Sequence, residues 1–153
     1  MRDNGIPLPE ELRDGSGRTR ILVVDDEASI RDIMSETLAN RPNPYEVMTA
    51  ADGFEAGRLV STFRPDVVLL DLRMPGLDGF QVCRTIKADT ETASTTVIAM
   101  TGYHTPETEA RIIECGAVRC LAKPIEPSSV AGAIDAVLEQ SHSGRRRRKP
   151  ARS

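Results

Sequence analysis

Short apolar runs alternate along the chain with segments whose apolar residues recur at helical spacing. Arg20–Val24 (RILVV) reads as a strand buried on both faces. Asp25-Asp26-Glu27 follows, at a position where a helix N-terminus favours negative charge. Ile30, Ile33, Met34, Thr37 and Leu38 then mark one face of an amphipathic helix, and Arg41-Pro42-Asn43-Pro44 stops it. Tyr45–Ala50 gives a second, weaker strand. Asp52-Gly53 is a turn, followed by Ala56, Leu59, Val60 and Phe63 at helical spacing and a stop at Arg64-Pro65. Asp66–Leu70 predicts another buried strand, running into Asp71. Met74 to Gly79 has the composition of a loop, with Asp66 and Asp78 as turn residues and Gly79 opening a helix marked by Phe80, Cys83 and Ile86. Thr95–Met100 is a fourth strand, Glu107–Cys115 a helix closed by Gly116, and Val118–Ala122 a fifth strand. Val130, Ile134, Val137 and Leu138 predict a last helix to about Gln140.

Five such strand–helix units call for a parallel sheet covered on both faces, with right-handed crossovers. The 153 residues suffice for one domain with tails and, on this reading, leave no room for a separate output domain. The expected divisions are a disordered extension over 1–18, a domain over 19–141 and a disordered polybasic tail over 142–153. No run is long enough to span a membrane, and the N-terminus lacks the apolar core of a secretory signal.

Charge sharpens this picture. The formal net charge of −3 averages two unlike parts. Arg145 to Arg148, Lys149 and Arg152 fall in the last nine residues; the remainder holds 14 basic and 23 acidic residues, a balance of −9. The tail reads as solvated. Contact with nucleic acid is the lesser alternative, because no aromatic residues interleave the arginines. Cys83, Cys115 and Cys120 lack the spacing of a disulfide framework or zinc site, so they read as small apolar residues in a reducing compartment, the cytoplasm. His104 and His142 are isolated and read as surface residues.

Candidate chemistry sits where strands end. Asp25 and Asp26 follow the first strand, Asp71 ends the third, Thr101 the fourth and Lys123 the fifth. Open parallel sheets build ligand sites outside the carboxyl ends of their strands. Three carboxylates brought together there repel one another, and Mg²⁺, which prefers oxygen ligands, removes the conflict. A carboxylate beside Mg²⁺ can act as a nucleophile toward a phosphoryl group, with Lys123 neutralising phosphate oxygens and Thr101 offering a hydroxyl.

In order and spacing, ILVVDDE, VVLLDLRMPGLDGF, the strand-end Thr101 and Lys123-Pro124 resemble the receiver domains of bacterial two-component response regulators, from about Arg20 to Gln140. The resemblance implies a doubly wound α/β fold of the flavodoxin or CheY type, with five parallel strands in the order 2-1-3-4-5 and five helices. It implies that Asp71 is the phosphoacceptor, that Asp26 and Asp71 ligate Mg²⁺ directly, that Asp25 reaches the metal through water, and that the Arg73 backbone carbonyl is a further ligand. Thr101 and Lys123 become the switch hydroxyl and the phosphate-binding lysine, and the lysine–proline bond is expected to be cis. The donor would be a histidine kinase or phosphotransfer protein. The output partner would dock on the fourth helix, fifth strand and fifth helix; no membrane contact is expected. Such a protein turns over no separate substrate and is not an enzyme in that sense.

Two departures from the family pattern stand out. Cys120 occupies the position where receivers usually carry a switching Tyr or Phe, so it is expected either to pack passively or to leave switching to the loop after Thr101. Arg73 and Tyr103, each two residues beyond a site residue, are expected to shield an acyl phosphate and slow its loss. Two alternatives remain: a receiver excised from a larger regulator or hybrid kinase, and a haloacid-dehalogenase-like phosphatase. The second places its nucleophile first and its acidic pair last, opposite to this chain, and here Arg73 replaces its general acid.

Overall fold

The apolar runs become the strands of one parallel sheet, in a computed structural model that describes the backbone of residues 17–152 and the side chains of 17–140. The strands are β1 (Arg20–Val24), β2 (Glu46–Ala50), β3 (Val67–Asp71), β6 (Thr96–Thr101) and β7 (Arg119–Ala122), in the order β2-β1-β3-β6-β7. All neighbours pair parallel. This is the expected doubly wound order; the numbers differ only because β4 (Arg73–Met74) and β5 (Leu77–Asp78) intervene. These two form a small antiparallel hairpin where the sequence predicts a plain loop. Gly76 makes its turn possible, with a φ of 71° that a side chain would resist.

Successive strand residues point to opposite faces, and each face has its own core. Leu22, Val24, Val68, Leu70, Val97 and Ala99 pack against α2 (Gly53–Thr62), α3 (Gly79–Ala88) and α4 (Pro106–Glu114) through Leu59, Cys83 and Ile112. Ile21, Val23, Val67, Leu69, Ile98 and Met100 pack against α1 (Ala28–Ala39) and α5 (Pro127–Arg152) through Met34, Leu38, Val130 and Ile134. Each such side chain, fully buried, contributes about 1.5–3 kcal/mol. The central strands are therefore rigid platforms for whatever their ends carry.

Local chemistry sets the helix starts. The Asp52 side chain accepts from Glu55 N–H at α2, and Asp78 accepts from Phe80 and Gln81 N–H at α3. Gly79 opens α3 against the backbone of Leu72: a Cβ there would lie 2.8 Å from the Leu72 Cα. The start of α3 is thus seated directly on the residue that follows Asp71.

One polar tie binds the two ends of the sequence. Asp135 on α5 accepts hydrogen bonds from Tyr45 Oη and, at 2.7 Å, from Arg41 Nη2, while the Arg41 guanidinium lies over the Tyr45 ring. Burial alone would raise the Asp135 carboxyl, but the bonds from Arg41 and Tyr45 outweigh it and hold it below the usual carboxylate range. A depressed carboxylate stabilises the fold above its unfolded pKa and stops doing so as pH falls through the folded pKa. Asp135→Ala should therefore cost about 1 kcal/mol at neutral pH. Urea unfolding should show that difference vanish once wild-type Asp135 is protonated.

The apolar face of the last helix ends near Leu138, as predicted, and the α5 backbone runs on through Arg152, past the Gln140 expected. The expected N-terminal extension lies outside the described residues, apart from its last two positions. No described helix is long and apolar enough to cross a membrane.

Candidate functional site

β1 and β3 are neighbours, but the chain leaves β1 toward one edge of the sheet and β3 toward the other. Their carboxyl ends therefore border a crevice. Asp25 follows β1, and its N–H continues the ladder to Ala50 O at 3.1 Å. Asp71 closes β3, Thr101 closes β6, and Lys123 stands one residue beyond β7.

The fold brings these residues together. Asp25, Asp26 and Asp71 each place one carboxylate oxygen within 4.8 Å of the other two; Asp25 and Asp71 are buried and Asp26 is exposed. Lys123 Nζ lies 2.8 Å from Asp25 Oδ2, 3.2 Å from Asp71 Oδ2 and 3.5 Å from Glu27 Oε1. The contact with Asp71 is an aligned hydrogen bond. The contact with Asp25 is the shorter of the two and pairs the ammonium with the buried Asp25 Oδ2, at an angle that falls short of an aligned hydrogen bond. Lys123 is itself held by its backbone N–H, which donates to Thr101 O at 2.8 Å, and the Lys123–Pro124 bond is cis, as expected.

Burial and charge compete at each group. Burial is the largest influence on Asp71 and raises its carboxyl. The Asp25 charge adds to that, while the Arg73 N–H and Lys123 oppose it without prevailing. At Lys123 burial pulls the ammonium down, but the carboxylates of Asp25 and Asp71 outweigh it and leave it raised. The site thus holds a poorly solvated carboxylate beside a firmly charged lysine.

Around this centre, Asp71 Oδ1 accepts from Arg73 N–H at 3.0 Å and Thr101 Oγ1 accepts from Tyr103 N–H at 3.0 Å. The Arg73 guanidinium lies 5.6 Å from the centre of the Tyr103 ring. Cys120 is buried on the sheet face toward α4, its thiol pushed up by burial and by the nearby Glu109 charge. All three cysteines are free and buried. His104 stands outside the cluster, 3.3 Å from Glu109; the side chain of His142 lies outside the described ones. Sequence reasoning passed over Glu27, whose adjacency to the acid pair was a signal. It also passed over Arg31, one helical turn further on, which donates to the Asp25 carbonyl at 2.8 Å.

The family model for the response regulator receiver domain matches residues 21–135. The chain belongs to the response regulator receiver family. It is 38% identical over 125 residues to a probable transcriptional regulator, ycf27, of Guillardia theta, covering 82% of this chain and 47% of that protein. Among solved structures, the receiver domain of a DNA-binding response regulator from Colwellia psychrerythraea superposes with a TM-score of 0.74 at 37% identity, covering 79% of this chain and 98% of that one. The chemotaxis protein CheY4 of Vibrio cholerae gives 0.73 at 32%, with coverage of 79% and 99%. The receiver spans about half the length, or less, of the curated relatives it matches.

Proposed function

We propose that this receiver takes a phosphoryl group onto Asp71 in a Mg²⁺-dependent reaction and uses the change to switch its contacts with a partner. The observation that carries the reading is the joining of Asp71 to Asp25, Asp26 and Lys123 at one strand-end crevice.

Receiver domains bind Mg²⁺ at an acidic pocket, and the residues present fit that ion. The donor set is all oxygen, which suits Mg²⁺. The buried Asp25 Oδ2 is met by the Lys123 ammonium, and the exposed Asp26 carboxylate has no hydrogen bond or ion pair among the described residues. Asp26, Asp71 and the Arg73 backbone carbonyl would hold the ion, with Asp25 reaching it through water. Bound there, it would offset negative charge on the phosphoryl oxygens.

In the transfer, an Asp71 carboxylate oxygen attacks phosphorus and the donor's bond to phosphorus breaks. When the donor is a phosphohistidine, the electron pair returns to the imidazole nitrogen. Lys123 is placed to neutralise a phosphoryl oxygen, and the buried Thr101 hydroxyl has its proton free to follow one. The donor is a histidine kinase or phosphotransfer protein, and the three unpaired cysteines fit a reducing compartment such as the cytoplasm. Output passes through a partner docking on α4, β7 and α5, where β7 is a sheet edge and Ile113 and Val118 are exposed. The receiver itself converts no separate substrate. Its phosphoryl group should be released by hydroxylamine, as an acyl phosphate is; resistance to hydroxylamine would place it on a hydroxyl side chain instead.

The Arg73–Tyr103 pair bears on how long the signal lasts. A guanidinium resting on a ring across the crevice shields the acyl phosphate from water, so autodephosphorylation is slow. Arg73→Ala with Tyr103→Ala should speed decay several-fold, measured by loss of the phosphorylated mass with time. Equal decay in the variant would remove any shielding role.

A further inference from the structure

Asp26 is the least restrained member of the acid cluster. Its carboxylate is exposed and unpaired among the described residues, whereas Asp25 and Asp71 are buried and tied. The backbone on both sides of Asp26 is nevertheless fixed. On one side, Asp25 Oδ1 accepts from the Glu27 N–H at 2.9 Å, which holds the Asp26–Glu27 peptide. On the other, the carbonyl of the Asp25–Asp26 peptide accepts from Arg31 Nη1 at 2.8 Å. Arg31 is anchored in the first turn of α1, its own N–H donating to Glu27 O at 3.2 Å. Its side chain folds back over the helix start to reach the end of β1.

We infer that Arg31 is a positioning residue for the metal site: it sets the plane of the Asp25–Asp26 peptide and thereby aims the Asp26 carboxylate toward Asp71. The inference rests on the Mg²⁺ reading above and deepens it. A guanidinium bond to a carbonyl is charge-assisted and stronger than a neutral one. With the flanking peptides locked, only the side-chain torsions of Asp26 remain to be ordered when an ion binds. Simple electrostatics makes the opposite forecast for the same residue. A cation near three carboxylates repels a divalent ion, so removing it would tighten binding; removing a brace weakens binding.

The sign of the effect is therefore the test. Mg²⁺ is titrated into the full chain and followed by backbone amide shifts at Asp26, Leu72 and Arg73, for wild type, Arg31→Met and Arg31→Lys. Thermal melts in EDTA confirm that each is folded. Wild type should saturate, Arg31→Met should bind about tenfold more weakly, and Arg31→Lys, which keeps a cationic donor, should fall between. If Arg31→Met does not fold, Arg31→Gln takes its place under the same criterion. Binding by the neutral variant that equals or exceeds wild type overturns the inference while leaving the Mg²⁺ reading intact. Failure of wild type itself to bind Mg²⁺ removes both.

Discussion

Lys123→Ala should destabilise the metal-free receiver by about 3 kcal/mol, the lower end of what removing one partner of a buried ion pair costs. Lys123 Nζ is the cation shared by Asp25 and Asp71, which are 0% and 3% exposed. Without it, two carboxylates face each other with little water to screen them. Asp71 is already held above the ordinary carboxylate range, mainly by burial. A raised carboxylate costs stability when charged, and the cost disappears as pH falls through its folded pKa. The deficit of Lys123→Ala should therefore be full at neutral pH and shrink on acidification. Mg²⁺ should restore more stability to the variant than to wild type, because the variant has more unbalanced charge to neutralise. Urea unfolding in EDTA and in Mg²⁺, at two pH values, measures all of this. An unchanged midpoint would mean that the lysine does not balance the cluster.

Most of what positions the site was legible in the sequence, for a simple reason. A strand buried on both faces has no polar residue to spare, so the acids that follow RILVV and close VVLLD announce themselves. The sheet order came with the family resemblance, and the pairing of β1 with both β2 and β3 agrees with it. Asp78 and Gly79 were legible as a cap and a helix start because their chemistry is local.

What escaped depends on contacts between distant residues or on side-chain reach. Asp135 meets Arg41 and Tyr45 across 94 and 90 positions, and no periodicity encodes such a pairing. The β4–β5 hairpin is only two residues on each side, too short to show alternation. Arg31 looks like an ordinary polar helix residue until its side chain is seen folded back onto Asp25. The extent of α5 was missed because apolar spacing marks where a helix touches the core, and a helix need not end where that contact ends.

The second large effect concerns the chemistry itself. Asp71 is the strand-end carboxylate hydrogen-bonded to Lys123, and its Oδ1 accepts a single backbone N–H. Asp71→Asn preserves the shape and removes the nucleophile, since an amide does not form an acyl phosphate. Asp26→Asn should instead leave the acceptor in place and raise the Mg²⁺ concentration that phosphorylation needs. On the proposed mechanism Thr101 and Lys123 act on the oxygens of the transferred group, so their loss should slow transfer or weaken the switch without moving the point of attachment.

The direct measurement is intact mass after incubation with a small phosphodonor, with Mg²⁺ and with EDTA, for wild type and Asp71→Asn. The account predicts one added phosphoryl group on wild type in Mg²⁺, little or none in EDTA, and none on Asp71→Asn under either condition. An equal gain by Asp71→Asn, or a gain by wild type that ignores the metal, would contradict it.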